Sequence, residues 1–137
     1  VIAYLDSSVI LRVILGQRNA LKEWKAIDQG IASALVEVEC LRTLDRLRLS
    51  EGIDDKDIAI RREAVFQLLD SIEIVELTRP ILSRAAQPFA TSLGTLDAIH
   101  LASALLWKES RGETLVMATH DVALSAASRA SGLRVVG

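Results

Sequence analysis

Val1-Ile2-Ala3-Tyr4-Leu5 is an unbroken apolar run that stops abruptly at Asp6. A run without polar alternation suits a parallel strand covered on both faces better than a half-exposed antiparallel one. Working outward, Ile31 to Ala34, Ile72 to Leu77, Thr114 to Ala118 and Arg134-Val135-Val136 each read as a further strand. Between them lie stretches of helical spacing. Ser7-Ser8 caps a short helix that Gly16 stops, and another helix is expected from about Ala20 to Gln29, ended by Gly30. Leu35, Val38, Leu41, Leu44 and Leu47 recur at helical intervals up to Glu51-Gly52, and a helix opening at Asp54-Asp55 runs to about Leu69. Pro80 suits the first turn of a helix reaching about Phe89. The Ser92-Leu93-Gly94-Thr95 break precedes a very apolar helix over Leu96 to Glu109, and a last one covers Asp121 to Ser131. Such alternation predicts right-handed crossovers and an α/β fold, with a central, mostly parallel sheet between helical layers.

At 137 residues the chain has the usual size of one domain, and residues 1–137 are read as a single domain. Hydrophobic residues make up 50% and charged ones 25%, which supplies a core and excludes the composition of a disordered chain. The formal net charge of −2 gives no overall attraction to nucleic acid, so phosphate binding has to come from a local patch or a bound cation. The one cysteine, Cys40, has no internal disulfide partner and lies in an apolar helical stretch, which fits a reducing, cytoplasmic setting. No signal segment is recognised and no apolar run approaches the ~18 residues needed to cross a bilayer, so no membrane role is expected.

Four acids stand out. Asp6 and Asp121 directly follow strand runs, at the edge where open parallel sheets bind ligands. Each also precedes a helix, where Asp is a favoured N-cap, so either one alone has an ordinary explanation. Asp97 falls in the first turn of the apolar helix, with Thr95 as its expected cap, where an acid complements the helix dipole. Glu39 is harder to dismiss. Val36 and Leu35 stand three and four positions before it and place it beside the apolar stripe. Glu37, by contrast, points about 200° away around the helix and reads as solvated. Together the four could converge at one sheet edge. Like charges packed there cost stability unless cations neutralise them, which points to a hard divalent ion such as Mg2+ or Mn2+. Such an ion activates water near neutral pH without a histidine base.

The segments Tyr4-Leu5-Asp6-Ser7-Ser8, Ser33-Ala34-Leu35-Val36-Glu37-Val38-Glu39-Cys40-Leu41-Arg42, Leu96-Asp97-Ala98-Ile99-His100-Leu101-Ala102 and Ala118-Thr119-His120-Asp121 carry a wider resemblance. In this order, and over essentially the whole chain, they resemble the PIN-domain family, closely its VapC-like toxin ribonucleases. The resemblance implies a three-layer α/β/α sandwich and an endoribonuclease that uses Mg2+ or Mn2+ to hydrolyse RNA, leaving a 5′-phosphate and a 3′-hydroxyl. It also implies a cognate antitoxin protein, whose C-terminal segment covers the site, and a homodimer. Carried over by position, Asp6, Glu39 and Asp97 become the three core catalytic and metal-binding acids and Asp121 the fourth. Glu39 is chosen over Glu37 because it precedes Cys40-Leu41-Arg42. Ser8 and Thr119 fall at small hydroxyl positions that support the site. Val122 and Ala123 stand where some relatives carry a further acid, which puts a complete second metal site in doubt.

Other residues invite competing readings. His100 lies one turn after Asp97 and His120 adjoins Asp121, which suggests a zinc hydrolase, but their spacing is not that of the usual histidine motifs, and His100 is expected to pack on its helix face. Arg42, Arg46 and Arg48, with Arg61 and Arg62, form either a solvated face or a surface for RNA or antitoxin. Arg42 and Arg46 are the candidate RNA contacts. Trp24 and Trp107 read as packing residues. An aspartate-based phosphotransfer or receiver-like domain would also place acids at strand ends. The dehalogenase-type variant, however, wants Asp where Ser8 stands, and a receiver wants a lysine after its last strands, where none follows Lys108. A catalytically weak PIN domain serving as an RNA- or antitoxin-binding module is the remaining alternative, and four intact acids argue against it.

Overall fold

The computed structural model describes residues 1–137. The opening apolar run forms β1 (Ile2–Leu5), followed along the chain by β2 (Gln29–Ser33), β3 (Glu73–Val75), β4 (Val116–Ala118) and β5 (Arg134–Val136). All neighbours pair in parallel in the order β3-β2-β1-β4-β5, with Tyr4 beside Ile31 on one side and Met117 on the other. β1 is thus the middle strand, which is why its run carries no polar alternation. The chain steps one way from β1 through β2 to β3, then returns past β1 to β4 and β5. This reversal opens a crevice between the carboxyl ends of β1 and β4.

Six helices cover the sheet: α1 (Ser7–Ile14), α2 (Leu35–Glu51), α3 (Asp55–Ser71), α4 (Arg79–Ala85), α5 (Thr95–Arg111) and α6 (Val122–Ala130). Strand alternation divides the core. Ala3, Leu5 and Ala32 face Val9, Ile10, Val36, Cys40, Leu44 and Val65 from α1, α2 and α3. Tyr4, Ile31 and Met117 face the other way, onto Leu101, Ala104, Leu105, Leu124 and Ala127 from α5 and α6. The result is the three-layer α/β/α sandwich. No helix is long and apolar enough to cross a membrane.

Several boundaries depart from the sequence reading. The helix expected over Ala20 to Gln29 is a single 3-10 turn at Trp24–Ala26, and Gly30 lies inside β2. Here sheet pairing overrides local propensity: Gln29 and Gly30 pair with Ile2 and Ala3, while Leu21, Trp24 and Ile27 pack on the core. The first helix is capped by Asp6 rather than by the serines, and α5 by Gly94 rather than Thr95. α4 stops at Ala85, short of Phe89, because the residue before Pro88 is driven out of helical geometry. Strand Thr114 to Ala118 shortens to three residues and Ile72 to Leu77 likewise.

Gly30 is buried in β2, and a Cβ there would meet Ile72 Cγ2 at 2.9 Å and Leu5 Cδ1 at 3.0 Å. Gly30→Val therefore overpacks this layer and is expected to lower stability by about 1–3 kcal/mol. Urea unfolding followed by circular dichroism measures this, and an unchanged midpoint would show that the layer yields freely.

Candidate active site

Asp6 sits at the carboxyl end of β1 and is only 4% exposed. Its Oδ1 accepts bonds from the Ser8 amide at 2.6 Å, the Ser8 hydroxyl at 2.5 Å and the Val9 amide at 3.3 Å, so it caps α1. Its Oδ2 accepts one bond, from the Thr119 hydroxyl at 2.5 Å. The two hydroxyls also act as acceptors. Ser8 Oγ takes the His120 amide at 3.0 Å and Thr119 Oγ1 takes the Asp121 amide at 3.0 Å. Ser8 and Thr119 thereby fasten the chain leaving β4 to the end of β1. Asp121, half-buried, caps α6 by accepting the Leu124 amide on Oδ1 at 2.8 Å.

Asp97 enters from the opposite layer, in the first turn of α5. Its carboxyl is raised to about 6, chiefly by burial and then by the negative charges of Asp121, Asp6 and Glu39, with His100 opposing them. The four acids therefore share one electrostatic neighbourhood. The same field reaches Cys40, whose thiol is pushed up to about 12 by burial and then by Glu39 and Asp6. As the side chains stand, no three of these groups form a ready-made ligand cluster. The donor chemistry nonetheless fits a hard divalent cation: every ligand is a carboxylate oxygen, and the mutual repulsion borne by Asp97 is what a cation relieves.

Glu39 extends from α2, with its side chain 21% exposed, and its Oε1 accepts a bond from His100 Nε2 at 2.6 Å. His100 Nδ1 in turn lies 2.8 Å from the Tyr4 hydroxyl. Both rings are fully enclosed, and burial raises the Tyr4 hydroxyl well above its ordinary pKa, so it remains a neutral donor. The expectation that His100 merely packs on its helix is thus corrected, since it joins the sheet to Glu39. One signal in the sequence pointed there: a tyrosine in a strand buried on both faces needs a polar partner. With both nitrogens engaged, His100 is not free to ligate zinc. The His120 pKa is lowered by burial and by Arg12.

Of the basic residues, Arg48 pairs with Asp45, Arg61 donates to the Ile14 carbonyl at the end of α1, and Arg62 lies over the Phe66 ring. Arg42 and Arg46 remain exposed on α2, three and seven positions beyond Glu39, and Arg46 donates to Thr43. Trp107 is buried and donates to Glu73, as expected of a packing residue. Glu37 is exposed.

Comparison with known proteins gives the same outline. The family model described as the PIN domain matches residues 3–129. Ribonuclease VapC47 of Mycobacterium tuberculosis is 29% identical over 136 residues, covering 98% of this chain and 91% of that protein. A toxin-antitoxin complex from Klebsiella pneumoniae contains a chain of similar fold, with a TM-score of 0.69 and 19% identity over 98% of this chain and 96% of that one. FitAcB from Neisseria gonorrhoeae has a TM-score of 0.72 and 17% identity, again over 98% and 96%.

The raised carboxyl of Asp97 has a consequence for stability. Its ordinary value is 3.8, so the folded state holds this proton more tightly than the unfolded chain, and ionising it between about pH 4 and 6 costs stability. Without divalent cations, Asp97→Asn is expected to melt a few degrees higher than the parent at pH 7 and to lose that advantage near pH 4. Thermal unfolding in EDTA at both pH values measures the difference. An equal difference at the two would show that the cost of ionising Asp97 is not the cause.

Proposed function

Because the chain belongs to the PIN domain family, we propose that it is an endoribonuclease, the toxin of a toxin–antitoxin pair, which hydrolyses RNA with the help of Mg2+ or Mn2+. The observation that carries this reading is the common electrostatic neighbourhood of Asp6, Glu39, Asp97 and Asp121 at the crevice between β1 and β4. A family relative named as a ribonuclease over nearly the same length, and a fold neighbour from a toxin–antitoxin complex, support it.

Asp6, Glu39, Asp97 and Asp121 are the residues that would hold the cation. When bound, such an ion supplies water activation near neutral pH and neutralises charge developing on the phosphate and the leaving oxygen. The chain's own contribution is to fix the acids. Asp6 is clamped by four hydrogen bonds yet keeps Oδ2 with only one of them, so accepting capacity remains on that oxygen. Asp121 uses only Oδ1 as a cap. Asp97 is raised by burial and by the charges of the other three acids, which a counter-charge would offset. Arg42 and Arg46, trailing from Glu39 along α2, suit contacts to the RNA backbone beyond the cleaved bond. In this reading the attacking water approaches in line and leaves a 5′-phosphate and a 3′-hydroxyl. Exposed Val38, Leu49 and Ile60 on α2 and α3 offer apolar surface for an antitoxin or a second copy of the chain.

Cleavage of a structured RNA by the parent, Asp6→Asn and Asp97→Asn, with Mg2+ or Mn2+ and then with EDTA, tests the proposal. Both variants and the EDTA reaction are expected to fall to the uncatalysed background. Undiminished cleavage in either variant, or full activity in EDTA, would sink it. Arg42→Ala with Arg46→Ala is expected to weaken RNA binding and to flatten its salt dependence, with the metal requirement intact. A binding curve measured at two salt concentrations shows whether these arginines touch phosphate.

A further inference from the structure

The three aspartates of the site are each placed by local chain geometry. Asp6 and Asp121 are the N-caps of α1 and α6, and Asp97 lies in the first turn of α5. Glu39 has no such anchor. It projects from the second turn of α2 on a side chain whose rotamer freedom costs up to about 2 kcal/mol to restrain. The hydrogen bond that holds it comes from His100, across the strand ends from the opposite helical layer.

The partners of His100 leave it one orientation. A carboxylate only accepts, so the Nε2 facing Glu39 carries the proton, and Nδ1 is held by its hydrogen bond with the Tyr4 hydroxyl. Tyr4 cannot move, since it sits in the central strand with no exposed surface and packs edge-on to the imidazole, with centroids 5.9 Å apart and planes at 72°. His100 is itself 1% exposed. Two immobile rings therefore present a single N–H to the one acid of the set that the backbone does not fix.

We infer that His100, oriented by Tyr4, is a positioning residue that holds the Glu39 carboxylate in place for the divalent cation and so sets cation affinity. This rests on the reading of the four acids as the cation's ligands. Neither ring touches RNA or the reacting atoms. Their effect passes through Glu39, as hydrogen bonds to ligating groups do in general.

Mn2+ alone is the probe, added to the whole purified chain and followed by titration calorimetry, with circular dichroism recording the fold. Tyr4→Phe removes one hydroxyl and keeps the ring. His100→Leu removes the donor, and His100→Gln keeps an amide N–H near the position of Nε2. Tyr4→Phe and His100→Leu are expected to weaken Mn2+ binding by about tenfold or more, and His100→Gln to restore most of the loss. In a Glu39→Gln background, His100→Leu is expected to add nothing further, which a purely structural role would not produce. Unchanged Mn2+ affinity in folded Tyr4→Phe overturns the inference and leaves the nuclease reading standing. So does a His100→Leu loss that persists in full without the Glu39 carboxylate. If the parent chain binds no Mn2+, or if Asp6→Asn and Asp97→Asn bind it as the parent does, the underlying reading fails and this inference falls with it. Should His100→Leu not fold, the single-atom change at Tyr4 decides the matter.

Discussion

A carboxylate buried at the end of the central strand has to be satisfied, and the structure around the crevice follows from how Asp6 is satisfied. An unpaired buried anion would cost several kcal/mol, enough to remove much of a small domain's stability. Two amides and two hydroxyls meet it instead, from Ser8, Val9 and Thr119. Those donors come from both sides of the reversal in strand order. The Asp6 amide also extends the sheet by donating to Ala118, and the Thr119 amide does so by donating to Val136. The exits of β1 and β4 are thereby locked together, and Asp121, two residues beyond Thr119, is carried into register with Asp6.

Helix direction accounts for the tolerance of so many like charges. In a parallel sheet, the helices that follow strands begin at the carboxyl edge, and α5, which leads back to the opposite edge, begins there too. Asp6, Asp97 and Asp121 each lie at such a beginning, where the dipole favours an anion by about 0.3–1 kcal/mol. That help is incomplete. Asp97 still has its carboxyl raised to about 6, by burial first and then by the charges of Asp121, Asp6 and Glu39. The arrangement is one in which the fold bears part of the strain and leaves the rest for a counter-ion.

Much of this was legible in the sequence, and what was not has definite causes. Unbroken apolar runs located β1 and its neighbours because burial on both faces removes the polar alternation. The spacing of Val36 and Leu35 before Glu39 separated it from Glu37, and the structure has Glu37 exposed. The segment from Ala20 to Gln29 was misread because its conformation is decided by pairing with Ile2 and Ala3, a demand that local spacing does not record. His100 was undervalued for a similar reason. Its partners lie 96 and 61 residues away in the chain, and a histidine in an apolar helix looks the same locally whether it only packs or bridges two layers.

Ordinary capping and a role in the site looked like alternatives for Asp6 and Asp121 when only the sequence was considered. The geometry dissolves that opposition. A cap needs one carboxylate oxygen facing back along the helix, and in both residues it is Oδ1 that meets the helix amides. The second oxygen takes no bond from the helix amides, and in Asp6 it accepts only the Thr119 hydroxyl. Capping therefore fixes the group while leaving one oxygen free of the helix amides, and it does so at little entropic cost because the side chain is short. Glu39 shows the converse. With no cap to aim it, its longer side chain depends on a donor built into a different layer, and the fold supplies one in His100.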